Sequence, residues 1–207
     1  IEDIGVLVCD HPAITFSQSL FSKLIENNSV VIFCNDKHLP AGMLLPYTAN
    51  HIHTDRIRIQ IESGKPARKR IWKTVVQAKI RQQGRLLANL HGDDAGLKAM
   101  ARRVKSGDPD NREAQAAKRY WKHLFPGTNF KRVPQGGQLN PIMDYGYAVL
   151  RAAVGRSLTS SGLHPSLGVH HSNKYNPYCL ADDFMEPFRP LVDSVACELF
   201  AEEETMG

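Results

Sequence analysis

The chain has 207 residues, 42% of them hydrophobic and 23% charged, which is the composition of an ordinary globular protein. No apolar run approaches the ~20 residues of a membrane span, and the acidic start IEDIGVLVCD is unlike a signal peptide. The four cysteines form no C-x-x-C pair, which favours a reduced, cytoplasmic protein over a structural zinc site. Because the first residue is not methionine, we expect a fragment or an incompletely ordered chain.

The positive charge is concentrated in one segment. Residues 55–106 contain fourteen Lys and Arg against four Asp and Glu, a balance of +10, whereas the whole chain carries only +5. Such a segment is typical of a surface that binds a polyanion, most often nucleic acid. The alternative is a helix face that is merely solvated.

The first 49 residues predict a small βαβ unit. Residues 4–9 form an apolar strand pattern, and Thr15 with Gln18 forms a capping box that begins a helix. Residues 30–34, VVIFC, predict a strand that is covered on both faces. Residues 42–45 add a third strand. The segment contains no cluster of chemically active groups, so we interpret it as scaffold.

Residues 50–65 are interpreted as a linker. Within them Ile57, Ile59 and Ile61 alternate with Arg58 and Gln60, and this period alone favours a strand.

A long basic helix is predicted from Pro66 to the break at His91-Gly92. Its apolar stripe consists of Trp72, Val76, Ile80, Leu87 and Leu90, while Lys and Arg, including Lys79, cover much of the remainder. A short basic helix follows over residues 97–104. We predict that DNA phosphates contact side chains of these two helices: Arg68, Lys69, Arg70, Lys73, Arg102 and Arg103.

The next helix carries an unusual carboxylate. Asp108-Pro109 predicts an N-cap followed by Pro at the first helical position, with the helix continuing to Phe125. Glu113 lies on its apolar face, where a carboxylate is costly unless it is paired, hydrogen-bonded or bound to a cation. The alternative is a first-turn Glu that interacts with the helix dipole. A further helix is predicted over residues 138–161. It is rich in Gly and Ala, and because these side chains are small, neighbouring helices can approach it closely.

Residues 166–193 concentrate groups that could bind a metal. His170 and His171 lie in a polar loop, and Asp182, Asp183 and Glu186 open an apolar run. On a helix Glu186 shares a face with Asp182 or Asp183. Carboxylates with one imidazole suit Mg²⁺ or Mn²⁺. However, Asp183-x-x-Glu186 is also a capping pattern, in which both carboxylates only satisfy free amides.

Two runs resemble a known family. GVHHSNKYNPYCLADDFMEPFRPLVD and GDPDNREAQAAKRYWKHLF resemble the catalytic motifs of the CRISPR-associated integrase family Cas1, in its type II branch. The resemblance implies that Glu113, His171 and Glu186 bind the catalytic metal, with Asp183 as an additional ligand or as an acceptor that orients one. It extends over residues 1–193 and implies that a leading β-rich part is absent here.

The combined prediction is an α+β protein. Residues 1–49 are the C-terminal part of an N-terminal β-rich domain, 50–65 a linker and 66–207 an α-helical catalytic domain. The resemblance implies a Mg²⁺- or Mn²⁺-dependent endonuclease and integrase of CRISPR adaptation. It would join 3′-hydroxyl ends of short DNA fragments to a repeat array by transesterification. Implied partners are double-stranded DNA, a second copy of the chain, the small protein Cas2 and further adaptation proteins.

Two alternatives remain open at this point. The His170-His171 and Asp182-Asp183 pairs suggest an HD-type metal phosphohydrolase, although the adjacent His-Asp pair of that chemistry is missing. A DNA-binding adaptor whose acids only cap helices is the non-enzymatic alternative. We further expect that a metal-free site would leave clustered carboxylates that repel one another.

Overall fold

The computed structural model describes residues 2–47, 50–127, 130–133, 136 and 139–206, with the backbone alone for 201–206. The fold is α+β, as predicted, with three short strands near the start and helices over most of the rest. The elements are β1 (Val6–Cys9), α1 (Gln18–Glu26), β2 (Val30–Cys34), β3 (Pro40–Leu44), α2 (His53–Glu62), α3 (Lys65–His91), α4 (Leu97–Arg102), α5 (Arg112–Leu124), α6 (Asn140–Ser160), α7 (Cys179–Met185), a 3-10 turn (Glu186–Phe188) and α8 (Arg189–Met206).

The chain divides into two compact units. The first unit is Ile1–Ser63 with Ala148–Asp182, and the second unit is Gly64–Tyr147 with Asp183–Gly207. The domain boundaries predicted after residues 49 and 65 stay a prediction. Within the described residues, none of the helices combines the length and the apolar content that crossing a membrane requires. The four cysteines are free thiols.

The sheet of the first unit has the order β1-β2-β3. β1 pairs in parallel with β2, Val6 opposite Val30, and β3 is antiparallel to β2. The predicted βαβ unit is therefore confirmed. Val31 packs with Leu24 of α1 on one face of β2, whereas Val30 and Ile32 pack with Ala152 of α6 on the other. Both faces are covered, which explains the unbroken apolar run of β2.

The cap of α1 differs from the prediction. The N-cap is Ser17, whose hydroxyl accepts a hydrogen bond from the Leu20 amide at 3.3 Å. Thr15 lies outside the helix, so the predicted capping box is wrong by two residues. Thr15 and Ser17 both carry the hydroxyl group that an N-cap favours, and the helix begins after Ser17.

The strand predicted over residues 57–61 is also wrong, because this segment belongs to α2. Ile59 and Ile61 are 68% and 59% exposed, so their alternation does not mark a buried face. The contacts come instead from polar side chains four apart. Arg56 Nη1 donates to the Ser161 carbonyl at 2.5 Å, and Gln60 Nε2 donates to the carbonyls of His164 and Leu167, each at 3.0 Å. The spacing of hydrophobic residues gives no information about such polar contacts.

In the second unit α3 is the long helix that the sequence predicts. Pro66 lies in its first turn, and Gly92, at φ +77°, ends it in the left-handed conformation. Trp72, Val76, Ile80 and Leu87 are buried, whereas Leu90 is 43% exposed, so the predicted stripe is wrong at its last position. α4 and α5 pack against α3.

α5 begins three residues later than Asp108-Pro109 predicts. Asp108 and Asn111 close a turn, in which the Asn111 amide donates to the Asp108 carbonyl at 3.0 Å. The Asp108 carboxylate nevertheless accepts hydrogen bonds from the amides of Arg112 and Glu113, at 2.8 and 2.9 Å. Asp108 therefore caps the helix from outside its first turn.

Candidate metal centre and nucleic-acid surface

Two of the predicted metal ligands meet in the second unit around a lysine. Lys79 Nζ of α3 lies 2.6 Å from Glu113 Oε1 and 2.5 Å from Glu186 Oε2. The two carboxylate oxygens are therefore at most about 5.1 Å apart, the sum of these distances. The exposed fractions of the three side chains are 12% for Lys79, 23% for Glu113 and 6% for Glu186.

The structure of α5 explains why Glu113 reaches this position. Glu113 shares the buried face of the helix with Ala116, Tyr120 and Leu124. Asp108 already accepts hydrogen bonds from the first amides of the helix. The Glu113 carboxylate is directed to Lys79 instead of serving as the cap.

Glu186 is buried at the start of the 3-10 turn that joins α7 to α8. Its Oε1 lies 3.0 Å from Arg189 Nε, and its Oε2 faces Lys79. The Lys79 ammonium supplies the opposite charge that this buried oxygen requires.

The capping interpretation of Asp183 and Glu186 is wrong. α7 begins at Cys179, so Asp183 lies inside this helix rather than before its first turn, and it is completely buried. The residue that precedes the 3-10 turn is Met185, which makes no side-chain cap. A capping box requires its first carboxylate to lie at the helix start.

The histidines and Asp182 belong to the first unit. His170 and His171 are exposed in the loop between α6 and α7, with their rings perpendicular and 5.4 Å apart. Participation of His171 with Glu113 and Glu186 stays a prediction. Asp182 pairs with Arg151 Nε at 2.6 Å and accepts from Asn176 Nδ2 at 2.6 Å, so Arg151 and Asp182 form a structural ion pair.

The donor chemistry at Glu113 and Glu186 fits a hard divalent cation. Both supply carboxylate oxygens, the ligands that Mg²⁺ and Mn²⁺ prefer, and two of these oxygens lie around the same ammonium. Over the residues that can be described, no group of three or more His, Cys, Asp and Glu side chains is arranged to hold a metal. The expected repulsion between clustered carboxylates is offset by the Lys79 ammonium.

Sequence reasoning assigned Lys79 only to the basic surface of α3. Its spacing contains a signal, because it follows Trp72 by seven residues and Val76 by three. Those spacings place it on the buried face. The pairing with Glu113, 34 positions away, is not visible in the sequence.

A second buried cluster was also missed. Asp193 of α8 is 1% exposed and accepts hydrogen bonds from the hydroxyls of Tyr120, at 2.6 Å, and Tyr147. Burial raises the pKa of the Asp193 carboxyl from 3.8 to about 6, and the two hydroxyls partly offset this rise. Arg132 and Arg189 lie over the Tyr147 ring, 5.2 and 4.6 Å from its centroid. Arg189 thus contacts both Glu186 and the cluster.

The predicted DNA-binding residues lie in the second unit. Lys69, Arg70, Arg102 and Arg103 are exposed, and two are partly buried, Arg68 and Lys73. The Gly107 amide donates to the Lys69 carbonyl at 3.0 Å, which holds the segment after α4 against the first half of α3. A methyl group at Gly107 would lie 2.9 Å from Lys69 Cγ, so the approach is close. Phosphate binding by these side chains stays a prediction.

Solved structures share this α+β fold. The structure of a casposase bound to integration product matches 98% of this chain and 62% of that chain, with a TM-score of 0.78 and 23% identity. A Cas6-RT-Cas1–Cas2 complex matches 96% of this chain and 24% of that chain, with a TM-score of 0.70 and 20% identity.

The sequence comparisons are more specific. The family model for CRISPR associated protein Cas1 matches residues 1–206. The CRISPR-associated endonuclease Cas1 of Neisseria meningitidis serogroup C (strain 8013) is 38% identical over 203 residues, which are 97% of this chain and 66% of that protein. The chain belongs to the Cas1 family.

Proposed function

We propose that this protein is a metal-dependent DNA endonuclease and integrase of CRISPR adaptation. It joins 3′-hydroxyl ends of short DNA fragments to a repeat array. The observation that carries the proposal is the convergence of Glu113 and Glu186 on one buried cation, Lys79, in a member of the Cas1 family. The fold likeness to a casposase bound to integration product supports joining.

Glu113, Glu186, Asp183 and His171 would hold Mg²⁺ or Mn²⁺. The chemistry that a bound divalent cation supplies is stabilisation of the negative charge on the phosphoryl oxygens and a lower pKa of the attacking hydroxyl. Arg189 keeps Glu186 Oε1 in place at 3.0 Å, so that Oε2 is presented to the site.

The reaction is a transesterification. The fragment's 3′-hydroxyl oxygen forms a bond to a phosphorus of the target strand and loses its proton. The bond from that phosphorus to the strand's own 3′ oxygen breaks, and this oxygen takes up a proton. Arg68, Lys69, Arg70, Lys73, Arg102 and Arg103 bind the duplex through its phosphates, so they position the DNA without reading its sequence.

The proposed partners follow from the family. Double-stranded DNA is the substrate, and a second copy of the chain, Cas2 and further adaptation proteins complete the assembly in the cytoplasm. The likeness to a chain of a complex that contains Cas1 and Cas2 supports the Cas2 assignment.

The test compares Glu186→Gln with Glu198→Gln, an exposed glutamate on α8. Each protein is incubated with a 3′-hydroxyl oligonucleotide, a plasmid and Mn²⁺, and joined and hydrolysed products are resolved on a gel. We expect wild type and Glu198→Gln to join DNA, and Glu186→Gln to remain folded without joining. Retained joining in Glu186→Gln contradicts the proposal. Phosphate release without joining favours a phosphohydrolase, and no manganese-dependent reaction favours an adaptor.

A further inference from the structure

Lys79, in the middle of α3, differs from the basic residues at the start of this helix. Its side chain is 12% exposed, whereas Lys69 and Arg70 are exposed on the surface. The ammonium contacts an oxygen of Glu113 and an oxygen of Glu186. A lysine buried in this way is ill placed to bind the phosphates of a duplex on the helix surface.

The charges around the ammonium are balanced locally. Glu186 has Arg189 at Oε1 and Lys79 at Oε2, and Glu113 has Lys79 at Oε1. Removing one partner of a buried ion pair is strongly destabilising, because it leaves an uncompensated charge. Lys79 therefore makes it possible for two carboxylates to lie close together without a bound ion.

The ammonium also lies where a divalent cation would bind. Lys79 Nζ lies 2.5 Å from Glu186 Oε2 and 2.6 Å from Glu113 Oε1, and these carboxylates are the ones that would hold the proposed metal. An ammonium and a metal ion cannot both occupy that position, since each needs contact with the same oxygens.

On the basis of the metal site under Proposed function, we propose that Lys79 is a built-in counter-ion of the metal-free protein. It holds Glu113 and Glu186 in position before the metal binds, and it competes with the metal for these oxygens. Lys79 is thus a positioning residue that stabilises the metal-free state and weakens the affinity for the ion.

The test compares Lys79→Met with Lys118→Met, an exposed lysine on α5. Thermal unfolding of EDTA-treated protein is followed with and without Mn²⁺, and Mn²⁺ affinity is measured by electron paramagnetic resonance titration. We expect Lys79→Met to lower the metal-free Tm by about 4 °C or more. Its Mn²⁺ affinity should rise about tenfold, with a larger Mn²⁺-induced rise in Tm. Lys118→Met should match wild type in both measurements.

The double variant Lys79→Met/Glu113→Gln guards against a folding failure of the single variant. It removes the charge of Glu113, which loses its Lys79 partner in the single variant, whereas Glu186 still has Arg189, so the metal-free Tm should recover toward that of wild type. An unchanged metal-free Tm in Lys79→Met overturns the inference. Mn²⁺ binding that is present in wild type and not tighter in Lys79→Met also overturns it. Absence of Mn²⁺ binding in both proteins instead overturns the metal site itself.

Discussion

Each carboxylate oxygen of Glu186 contacts a different cationic side chain. Arg189 reaches Oε1 from the following turn, and Lys79 reaches Oε2 from α3. The Arg189 guanidinium also lies over the Tyr147 ring, 4.6 Å from its centroid, in a cation–π contact. Because Lys79 lies at Oε2, a metal ion in the proposed site would compete with this ammonium for that oxygen.

The two adjacent histidines provide a test of register. Both are exposed, so replacing either should change the free energy of unfolding by less than about 0.5 kcal/mol. We expect His171→Ala to lower DNA joining by at least about 100-fold, because a metal ligand is lost, and His170→Ala to lower it by less than about tenfold. The measurement is the initial rate of oligonucleotide joining in Mn²⁺. The opposite ranking would mean that His170 is the ligand.

Asp193 makes stability depend on pH. Its folded pKa, about 6, is above the ordinary value of 3.8 because the carboxyl is buried. Since the folded protein binds this proton more tightly than the unfolded chain, the contribution to stability is full below pH ~4. It is lost as the pH rises through about 6, to an extent of about 3 kcal/mol.

The Asp193→Asn variant lacks this titration. Between pH 4 and pH 7 the free energy of unfolding of wild type should therefore fall relative to that of Asp193→Asn. Above pH 7 the difference between the two proteins should stay constant. Urea unfolding at a series of pH values measures it, with Asp55→Asn, an exposed carboxyl on α2, as the control. A difference that does not vary with pH would contradict the assigned pKa.

The helices α6 and α8 approach each other at Gly146 in the second unit. A Cβ added there would lie 2.5 Å from Val192 Cγ1, which is well inside van der Waals contact. Small residues in this helix were predicted to permit such packing, and at Gly146 the prediction is confirmed.

Substitution by alanine separates packing from helix propensity at two glycines of α6. Gly146→Ala should lower the free energy of unfolding by about 1–3 kcal/mol, because the methyl group overlaps Val192. Gly155→Ala should raise it by about 0.5–1 kcal/mol, because nothing lies within 4 Å of its added Cβ. Denaturant unfolding of both variants gives the comparison. Equal effects would indicate that the helices move apart readily.

Positive charge is concentrated in residues 55–106, and we expect DNA binding to depend on salt concentration for this reason. Arg68, Lys69, Arg70 and Lys73 lie in the segment with a balance of +10. Replacing them together with glutamine should weaken binding similarly for all DNA sequences. It should also reduce the slope of log affinity against log salt by about one unit for each lost phosphate contact. Fluorescence anisotropy at several salt concentrations measures the slope.

The control for this prediction is Lys23→Gln/Lys37→Gln, since both lysines are exposed in the first unit and outside the basic segment. Its slope should equal that of wild type. An unchanged slope in the quadruple variant would show that these side chains only solvate a helix face.

The sequence by itself determined the elements whose signals are local. The VVIFC strand, the long α3 after Pro66 and the stop at Gly92 follow from apolar runs, periodicity and backbone preference within a few residues. Glu113 was identified as unusual because a carboxylate on an apolar helix face requires compensation. Motif resemblance gave the family.

Tertiary structure decided everything that depends on a distant partner. The contacts of α2 come from Arg56 and Gln60, which bind carbonyls about a hundred positions later in the chain. Lys79 is a counter-ion rather than a surface charge because Glu113 and Glu186 meet at its ammonium. The pKa of Asp193 is raised because the folded chain buries its carboxyl, and only part of the rise is offset by the hydroxyls of Tyr120 and Tyr147. Such contacts leave no periodic trace in the sequence, since they join single side chains that only the folded chain brings together.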